Sequence, residues 1–518
     1  MKWDESFGAR GGRGFHPDCR LYERPIAVND SINILFLSSE AAPYAKTGGL
    51  ADVAGSLPGA LKRLGVNVSV GLPLYRSVRE GSFQRQLVLK GLKVPLAGQT
   101  IVGNVHATET EDGVPVYFFE REDLFDRPNL YRTAEGDYYD NLERFAFFCR
   151  AALLFAKVTG MPFDLIHCHD WQTGLIPAYL STLFRTDPFF SATATLFTIH
   201  NIGYQGLFPR EKLPVCGLPP ETYHPEGVEY WGKISLLKAG IVYSEAVTTV
   251  SPTYSREIQT SEFGLGMEGI LRKKSAALHG ILNGADYSVW DPAIDPHIAS
   301  NYDSDHLSEK IANKAALLRQ TGLESSLLER PVLGMTSRLS HQKGCDLFVP
   351  ILDELVRMKV GLVILGEGEE RYERRLREAA ERYRGKVSVT IGFDEALAHR
   401  IMAGVDIFLV PSHYEPCGLT QMYALKYGTV PVVRATGGLE DTIEDFDPLI
   451  KTGNGFKFGP YDSKAFLSSI QRAMDLYSDQ TTWEILMRQG MAADFSWKRS
   501  AERYVEIYQS LIAARRRV

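Results

Sequence analysis

Residues 34–65, ILFLSSEAAPYAKTGGLADVAGSLPGALKRLG, decide how the chain is read. The apolar run from Ile34 to Leu37 has the length of a buried strand. Lys46, Thr47, Gly48, Gly49 and Leu50 form a turn, and ADVAGSLPGALKRLG continues with helical spacing. Strand, loop and helix in that order place a helix N-terminus over whatever the loop holds, which suits a phosphate. Gly48 and Gly49 let backbone N–H groups approach a ligand with no Cβ in the way, and Lys46 adds a mobile point charge. Neither GxGxxG nor GxxxxGK[ST] is present, so the turn alone does not separate a ligand loop from an ordinary strand-to-helix connection.

The same alternation continues along the chain. NVSVGLPLY (67–75), FDLIHCHD (163–170), ATLFTIHN (194–201), AVTTVSP (246–252) and HGILNG (279–284) read as strands separated by longer amphipathic segments. Repeated strand–helix units imply a parallel sheet covered on both faces. Residues 91–120, with turn-separated β segments, predict an antiparallel excursion. The pattern lapses over DYSVWDPAIDPHIASNYDSD (286–305), a connector rich in proline and aspartate, and IANKAALLRQTGL (311–323) predicts a helix leading out of it. From Val332 it resumes with VLGMTSRL, VGLVILG, KVSVTIGF, IFLVPS and TVPVVRA.

Two runs of β/α units predict two doubly wound α/β domains, with the ligand cleft beyond the C-terminal strand ends. The expected boundaries are a flexible arm at 1–30, a first domain at 31–288, a hinge at 289–329, a second domain at 330–495, and a C-terminal helix at 496–518 packing back across the cleft. At 518 residues the chain is too long for a single core. Hydrophobic residues at 44%, charged residues at 23% and a net charge of -6 argue for a soluble globular protein and against nucleic acid as a partner, and the scattered cysteines for the cytoplasm. No apolar run is long enough to span a bilayer. Six cysteines without a CxxC pair suit reduced thiols.

Polar clusters fall where strands should end. They are HCHD (167–170), His200 and Asn201, Arg338 and Lys343 in SRLSHQKG, and Glu415 and Cys417 in PSHYEPCGLTQ. Arg338 and Lys343, before Gly344 and a helical segment, suit a diphosphate or else make a solvated basic turn. Glu415 is expected to face the cleft, and Cys417 to be a small buried thiol. His167 and His169 are given structural or hydrogen-bonding roles rather than metal ligation: strand alternation is expected to turn them to opposite faces, and spacing suggests no third ligand. His200 stands where either a buried core histidine or a functional one would fit.

Taken together, SSEAAPYAKTGGLADVAGSLPGAL, HCHDWQTGLIPAYL, FTIHNIGYQGLFP, VSPTYSREI, GMEGIL, ILNGADYSVWDP, SRLSHQKG, EPCGLTQMYALKYGTVPVVRATGGLEDT and GNGFKF resemble the bacterial glycogen synthases and plant starch synthases, from about Asn33 to the C-terminus. That family has the two-domain GT-B fold. The resemblance implies retaining transfer of glucose from ADP-glucose to the non-reducing 4-OH of an α-1,4-glucan, without metal or other cofactor. It implies that Lys46, with Gly48 and Gly49, meets the donor, that Arg338 and Lys343 neutralise its diphosphate, and that Glu415 contacts its glucose, with Cys417, Gly418, Leu419 and Thr420 supplying backbone. Asp52, Asp170, His200 and Asn201 match sugar-side positions, and Asn283 an acceptor-side one. Many GT-B enzymes carry a second glutamate eight positions after the first, where this chain has Tyr423. Same-face attack is favoured over double displacement, and the sequence leaves both open. Two competing readings are a glucan-binding protein without turnover and a phosphorylase, which would need pyridoxal phosphate.

Overall fold

The computed structural model describes residues 31–133 and 135–517. The arm expected at 1–30 lies outside them. Nine strands form the first sheet: β1 (Asn33–Leu37), β2 (Asn67–Pro73), β3 (Gln86–Leu96), β4 (Gln99–Glu109), β5 (Pro115–Glu120), β6 (Leu165–His169), β7 (Ala194–Ile199), β8 (Ala246–Thr249) and β9 (Leu278–Gly280). Their order is β9-β8-β7-β6-β1-β2-β5-β4-β3. The strands from β9 to β2 are parallel, and β5 is parallel to β2. β3 and β4 form the expected antiparallel excursion, with β4 also antiparallel to β5.

Burial explains the two strand types. The runs in β1, β6 and β7 are buried on both faces, as central strands of a covered parallel sheet must be. The second half of β3 alternates buried and exposed residues, the pattern of a sheet with one wet face. The second sheet has six parallel strands: β10 (Val332–Thr336), β11 (Gly361–Gly366), β12 (Val387–Ile391), β13 (Ile407–Val410), β14 (Val430–Arg434) and β15 (Phe456–Phe458), in the order β12-β11-β10-β13-β14-β15.

Register brings the loops to one edge. Leu37 pairs with Cys168 and His169 with Thr198, so β1, β6 and β7 end nearly level. Helix Gly49–Arg63 starts in the loop after β1 and buries Leu50, Val53, Ala54, Leu57 and Leu61. It lies close over the preceding segment: a Cβ on Gly55 would fall 2.8 Å from the Ala42 carbonyl oxygen. The C-terminal helix Trp497–Arg515 packs on this helix and on β6 and β7, burying Trp497, Ala501, Tyr504, Ile507 and Tyr508. On the other face of the first sheet the apolar core runs on into residues 302–443, and a third core lies within the second sheet. Helix Lys310–Thr321 occupies the region read as a connector helix. The five described cysteines, Cys149, Cys168, Cys216, Cys345 and Cys417, are buried and unpaired. No described helix is long and apolar enough to cross a membrane.

Candidate active site

The loop after β1 is held from beneath by a residue the sequence reading passed over. Glu40 is buried, and its carboxylate accepts the Thr47 N–H at 2.6 Å, the Thr47 hydroxyl at 2.7 Å and the Tyr131 hydroxyl at 2.7 Å. Burial pushes its carboxyl above the usual range, while the bonds from Thr47 and Tyr131 and the Gly48 N–H hold it down. The Gly48 amide, expected with that of Gly49 to meet a ligand, therefore faces inward to Glu40 together with the Thr47 amide. What the loop offers outward is the Lys46 ammonium, 2.7 Å from Asp52 in the first turn of the helix. Burial raises the Asp52 carboxyl, and Lys46 opposes that shift.

The strand ends beside it carry buried neutral groups. His167 and His169 do not point to opposite faces: their ring centroids are 4.0 Å apart. Residues two apart on a strand share a face, so alternation separates each histidine from Cys168 and not from the other. Both rings are fully occupied by the fold or sealed in it. His167 Nδ1 is 2.8 Å from the Tyr508 hydroxyl and its Nε2 is 2.6 Å from the Thr198 hydroxyl. His169 Nδ1 is 2.9 Å from His200 Nε2. Burial holds all three imidazoles below the ordinary histidine range, His200 at about 3.

Asp170 has φ +56, a left-handed conformation unusual for a non-glycine residue, and such strain concentrates at functional sites. The strained turn lets its Oδ1 accept the His200 backbone N–H at 2.7 Å, with the Asn201 N–H bonded as well. Burial pushes its carboxyl up to about 7 against those bonds.

The second sheet contributes charge. Gly344, at φ +76, turns the loop after β10, and no side chain fits there: a Cβ would fall 2.1 Å from the Pro411 carbonyl oxygen. Lys343 lies 2.6 Å from Glu415 Oε2, which the Ser412 hydroxyl also donates to at 2.9 Å. The resemblance implies Lys343 for the diphosphate and Glu415 for the sugar; the two form one ion pair, with Glu415 5% exposed. Arg338 Nη1 donates to the Tyr204 hydroxyl at 2.9 Å and Nη2 to Gln342 at 3.0 Å. Cys417 is buried, burial raises its thiol, and its sulfur accepts the Asn283 N–H. Gly418 has φ +71, and Leu419 precedes the helix Thr420–Lys426.

These loops meet across the cleft. A Cβ on Gly49 would lie 4.0 Å from Leu419 Cδ1, the Tyr414 hydroxyl is 3.4 Å from Asn201 Oδ1, and Tyr204 reaches Arg338. At the back the two halves are bonded more densely. Ser251 donates to the Pro416 carbonyl, Thr253 binds Asp441 through backbone and hydroxyl, and Glu257 accepts from Thr436 and the Gly437 N–H. Asn283 is buried with its Oδ1 unpartnered. Tyr423 is buried and stacks on Trp290 of the connector, centroids 4.2 Å apart at 3°. Its ring is thus part of the packing. Of the residues that the sequence reading passed over, Tyr204 and Tyr414 stand inside quoted motifs, and their reach across the cleft has no local signal.

A family model described as starch synthase catalytic domain matches residues 33–273, and one described as glycosyl transferases group 1 matches residues 324–485. The glycogen synthase of Koribacter versatilis is 47% identical over 478 residues, covering 92% of this chain and 98% of that protein. That of Moorella thermoacetica is 48% identical over 492 residues, covering 94% and 99%. The catalytic domain of starch synthase IV from Arabidopsis thaliana, solved bound to ADP and acarbose, superposes with a TM-score of 0.88 at 33% identity, covering 93% of this chain and 100% of that one. A sucrose-phosphate synthase from Thermosynechococcus elongatus shares the fold, at a TM-score of 0.58 and 18% identity.

Proposed function

This chain belongs to the glycogen and starch synthase family of glucosyltransferases, and from that premise we propose that its cleft takes ADP-glucose as donor and a non-reducing α-1,4-glucan end as acceptor. It transfers glucose from a nucleotide sugar to a glycogen- or starch-type glucan. The observation that carries the donor reading is the convergence on one cleft of Lys46, Arg338 and the Lys343–Glu415 pair, since binding glucan alone needs no such set of cations.

In this reading the diphosphate lies between Arg338 and Lys343. Negative charge grows there as the glycosidic bond breaks, and fixed cations stabilise it without reorganising. Lys343 keeps donors to spare after bonding Glu415, because an ammonium has three N–H groups. Glu415 Oε1 has no protein partner among the described residues and accepts from the glucose hydroxyls. Lys46 approaches the donor from the first sheet, with Asp52 setting its position and Gly48 and Gly49 leaving room beside it. Cys417, Gly418, Leu419 and Thr420 shape the wall under the glucose, and Asn283 faces the acceptor.

His200, neutral through burial, and Asn201 sit beside the sugar, where positive character develops at the anomeric carbon. A cation there would oppose bond breaking. Asp170 is held by the His200 and Asn201 backbone, and burial keeps its carboxyl largely protonated below about pH 7, which makes it a poor nucleophile. Glu415 is tied to Lys343 and Ser412. Same-face attack, with the departing phosphate taking the acceptor proton, is the reading we favour, because the carboxylates beside the sugar are held by the His200 and Asn201 backbone or by Lys343 and Ser412. The halves at 31–288 and 330–495, joined through 289–329, are proposed to close over the donor. Unchanged small-angle scattering on adding ADP-glucose and acceptor would count against closure.

The test is ADP release from ADP-glucose with glycogen, compared with UDP release from UDP-glucose. Faster turnover of ADP-glucose, undiminished by EDTA, supports the reading. No release from either donor sinks it, and preference for UDP-glucose replaces the donor assignment while leaving the transfer reaction.

A further inference from the structure

His169 lies one strand away from His200 and has not been given a task. Its Nδ1 is 2.9 Å from His200 Nε2, so one of these two nitrogens carries a proton and the other a lone pair. The ring is fully buried, with Phe36 against it at a centroid distance of 4.0 Å, and its Nε2 is buried with no partner. That last atom breaks the symmetry. If His200 Nε2–H donates, neutral His169 must carry its own proton on Nε2, a buried N–H with nothing to accept it. If His169 Nδ1–H donates, the buried Nε2 is a bare acceptor. Among backbone groups of folded proteins an orphaned buried N–H is rarer than an under-satisfied acceptor, and we apply the same preference to the imidazole. His200 is then left with its proton on Nδ1. Unlike His169 Nε2, that nitrogen is not among the described buried atoms that lack a partner.

We propose that His169 is a positioning residue that fixes His200 as its Nδ1–H tautomer, so that His200 presents a neutral hydrogen-bond donor to a hydroxyl of the transferred sugar. In a buried pair the bond made by one ring nitrogen decides where the other carries its proton. Burial holds both rings neutral, which agrees with one proton on each. A donor without formal charge binds a hydroxyl oxygen and leaves developing positive charge at the anomeric carbon unopposed. His167, on the same face of the same strand, bonds Tyr508 and Thr198 instead and plays no part in this coupling.

The proposal rests on the glucosyl-transfer reading, and its first test needs no substrate. In protein with 15N-labelled imidazoles, with the His200 signals assigned by their loss in His200→Gln, Nδ1 of His200 is expected in the protonated range and Nε2 in the unprotonated range. The reverse pattern overturns the proposal while transfer activity stands. Absence of ADP release from the unaltered chain would instead overturn the functional reading.

The second test separates positioning from packing. His169→Asn places an amide N–H where Nδ1–H stood and is expected to keep kcat within about threefold. His169→Leu removes the donor and is expected to lower kcat by about tenfold, with KM for donor and glucan changed less than about threefold. Equal rates in the two variants would overturn the proposal. Should neither variant fold, the spectrum of the unaltered protein decides alone.

Discussion

At the ends of β6 and β7 the polar groups are buried and mostly uncharged: three imidazoles held neutral by burial, and an aspartate whose carboxyl sits at about 7. Across the cleft, after β10 and β13, the groups form charged contacts: the partly exposed Arg338 on Tyr204, and Lys343 on Glu415, whose carboxylate is buried against it. The first wall is made of strand ends locked into a sheet, where an ion would lose its water. The second is made of loops whose cations reach water and whose buried carboxylate is paired with one of them, so charge is kept. A sugar carries hydroxyls and a diphosphate carries charge, and each wall suits one end of a nucleotide sugar.

If that division is right, removing charge from the second wall costs the most. Glu415→Ala and Arg338→Ala are each expected to lower kcat/KM for ADP-glucose by about 10²-fold or more, as loss of a preorganised electrostatic group does. Initial rates with glycogen as acceptor check this. Near-normal rates in both variants would take the charged wall out of the reaction.

Charge on the first wall should instead be a burden on folding. Asp170 has its folded pKa raised to about 7 by burial, above the unfolded value near 3.8. Its stabilising contribution is therefore complete below the unfolded value and is lost as pH rises toward the folded one. Between those values the folded state holds a proton the unfolded state has released, which lowers stability by about 1.4 kcal/mol per pH unit. Asp170→Asn lacks that slope, so the difference between the parent's and the variant's urea midpoints is expected to change steadily from pH 4 to pH 7, the parent losing ground as pH rises. An unchanged difference across the range would mean that Asp170 is ionised in the folded protein.

How far this was legible in the sequence follows the same division. KTGGL, SRLSHQKG and EPCGL announce themselves, because an apolar strand, a polar loop with glycine and a helix are contiguous. Both sheets, the antiparallel excursion and the cleft could be read for that reason. Glu40 is three residues past a strand and carries no local signal, yet it takes the Gly48 amide that the glycines suggested for a ligand, along with that of Thr47. The parity of His167 and His169 was available from strand geometry and was misread. Tyr423 stacking on Trp290, and Tyr414 reaching Asn201, join positions more than a hundred residues apart, where periodicity carries no information.

Lys46 is a cation belonging to the first wall, and it tests whether the walls differ by side or by depth. It stands at the rim with about a third of its side chain exposed, paired with Asp52. Such a pair contributes at most about 1 kcal/mol to stability. Lys46→Ala is therefore expected to fold normally and to raise KM for ADP-glucose by about tenfold, the scale of one hydrogen bond to a charged group. Glycogen binding without donor should hardly move, which a pull-down measures. Equal loss of both would place Lys46 on the acceptor path.

The smallest expected effect divides the two histidines of β6. Tyr508, from the last helix, meets His167 Nδ1 at 2.8 Å, and His167 Nε2 meets Thr198, whose hydroxyl goes on to Thr248 at 2.5 Å. This chain runs across the buried sheet and away from the cleft, whereas His169 runs toward it through His200. Tyr508→Phe keeps the ring, removes the hydroxyl and leaves one imidazole nitrogen unpaired, a loss of about 1 kcal/mol in stability by urea unfolding. Because His167 does not bond His200, kcat should stay within about twofold. A fall in kcat as large as that from His169→Leu would mean that the C-terminal helix reaches the sugar through both histidines, and that the first wall works as one network.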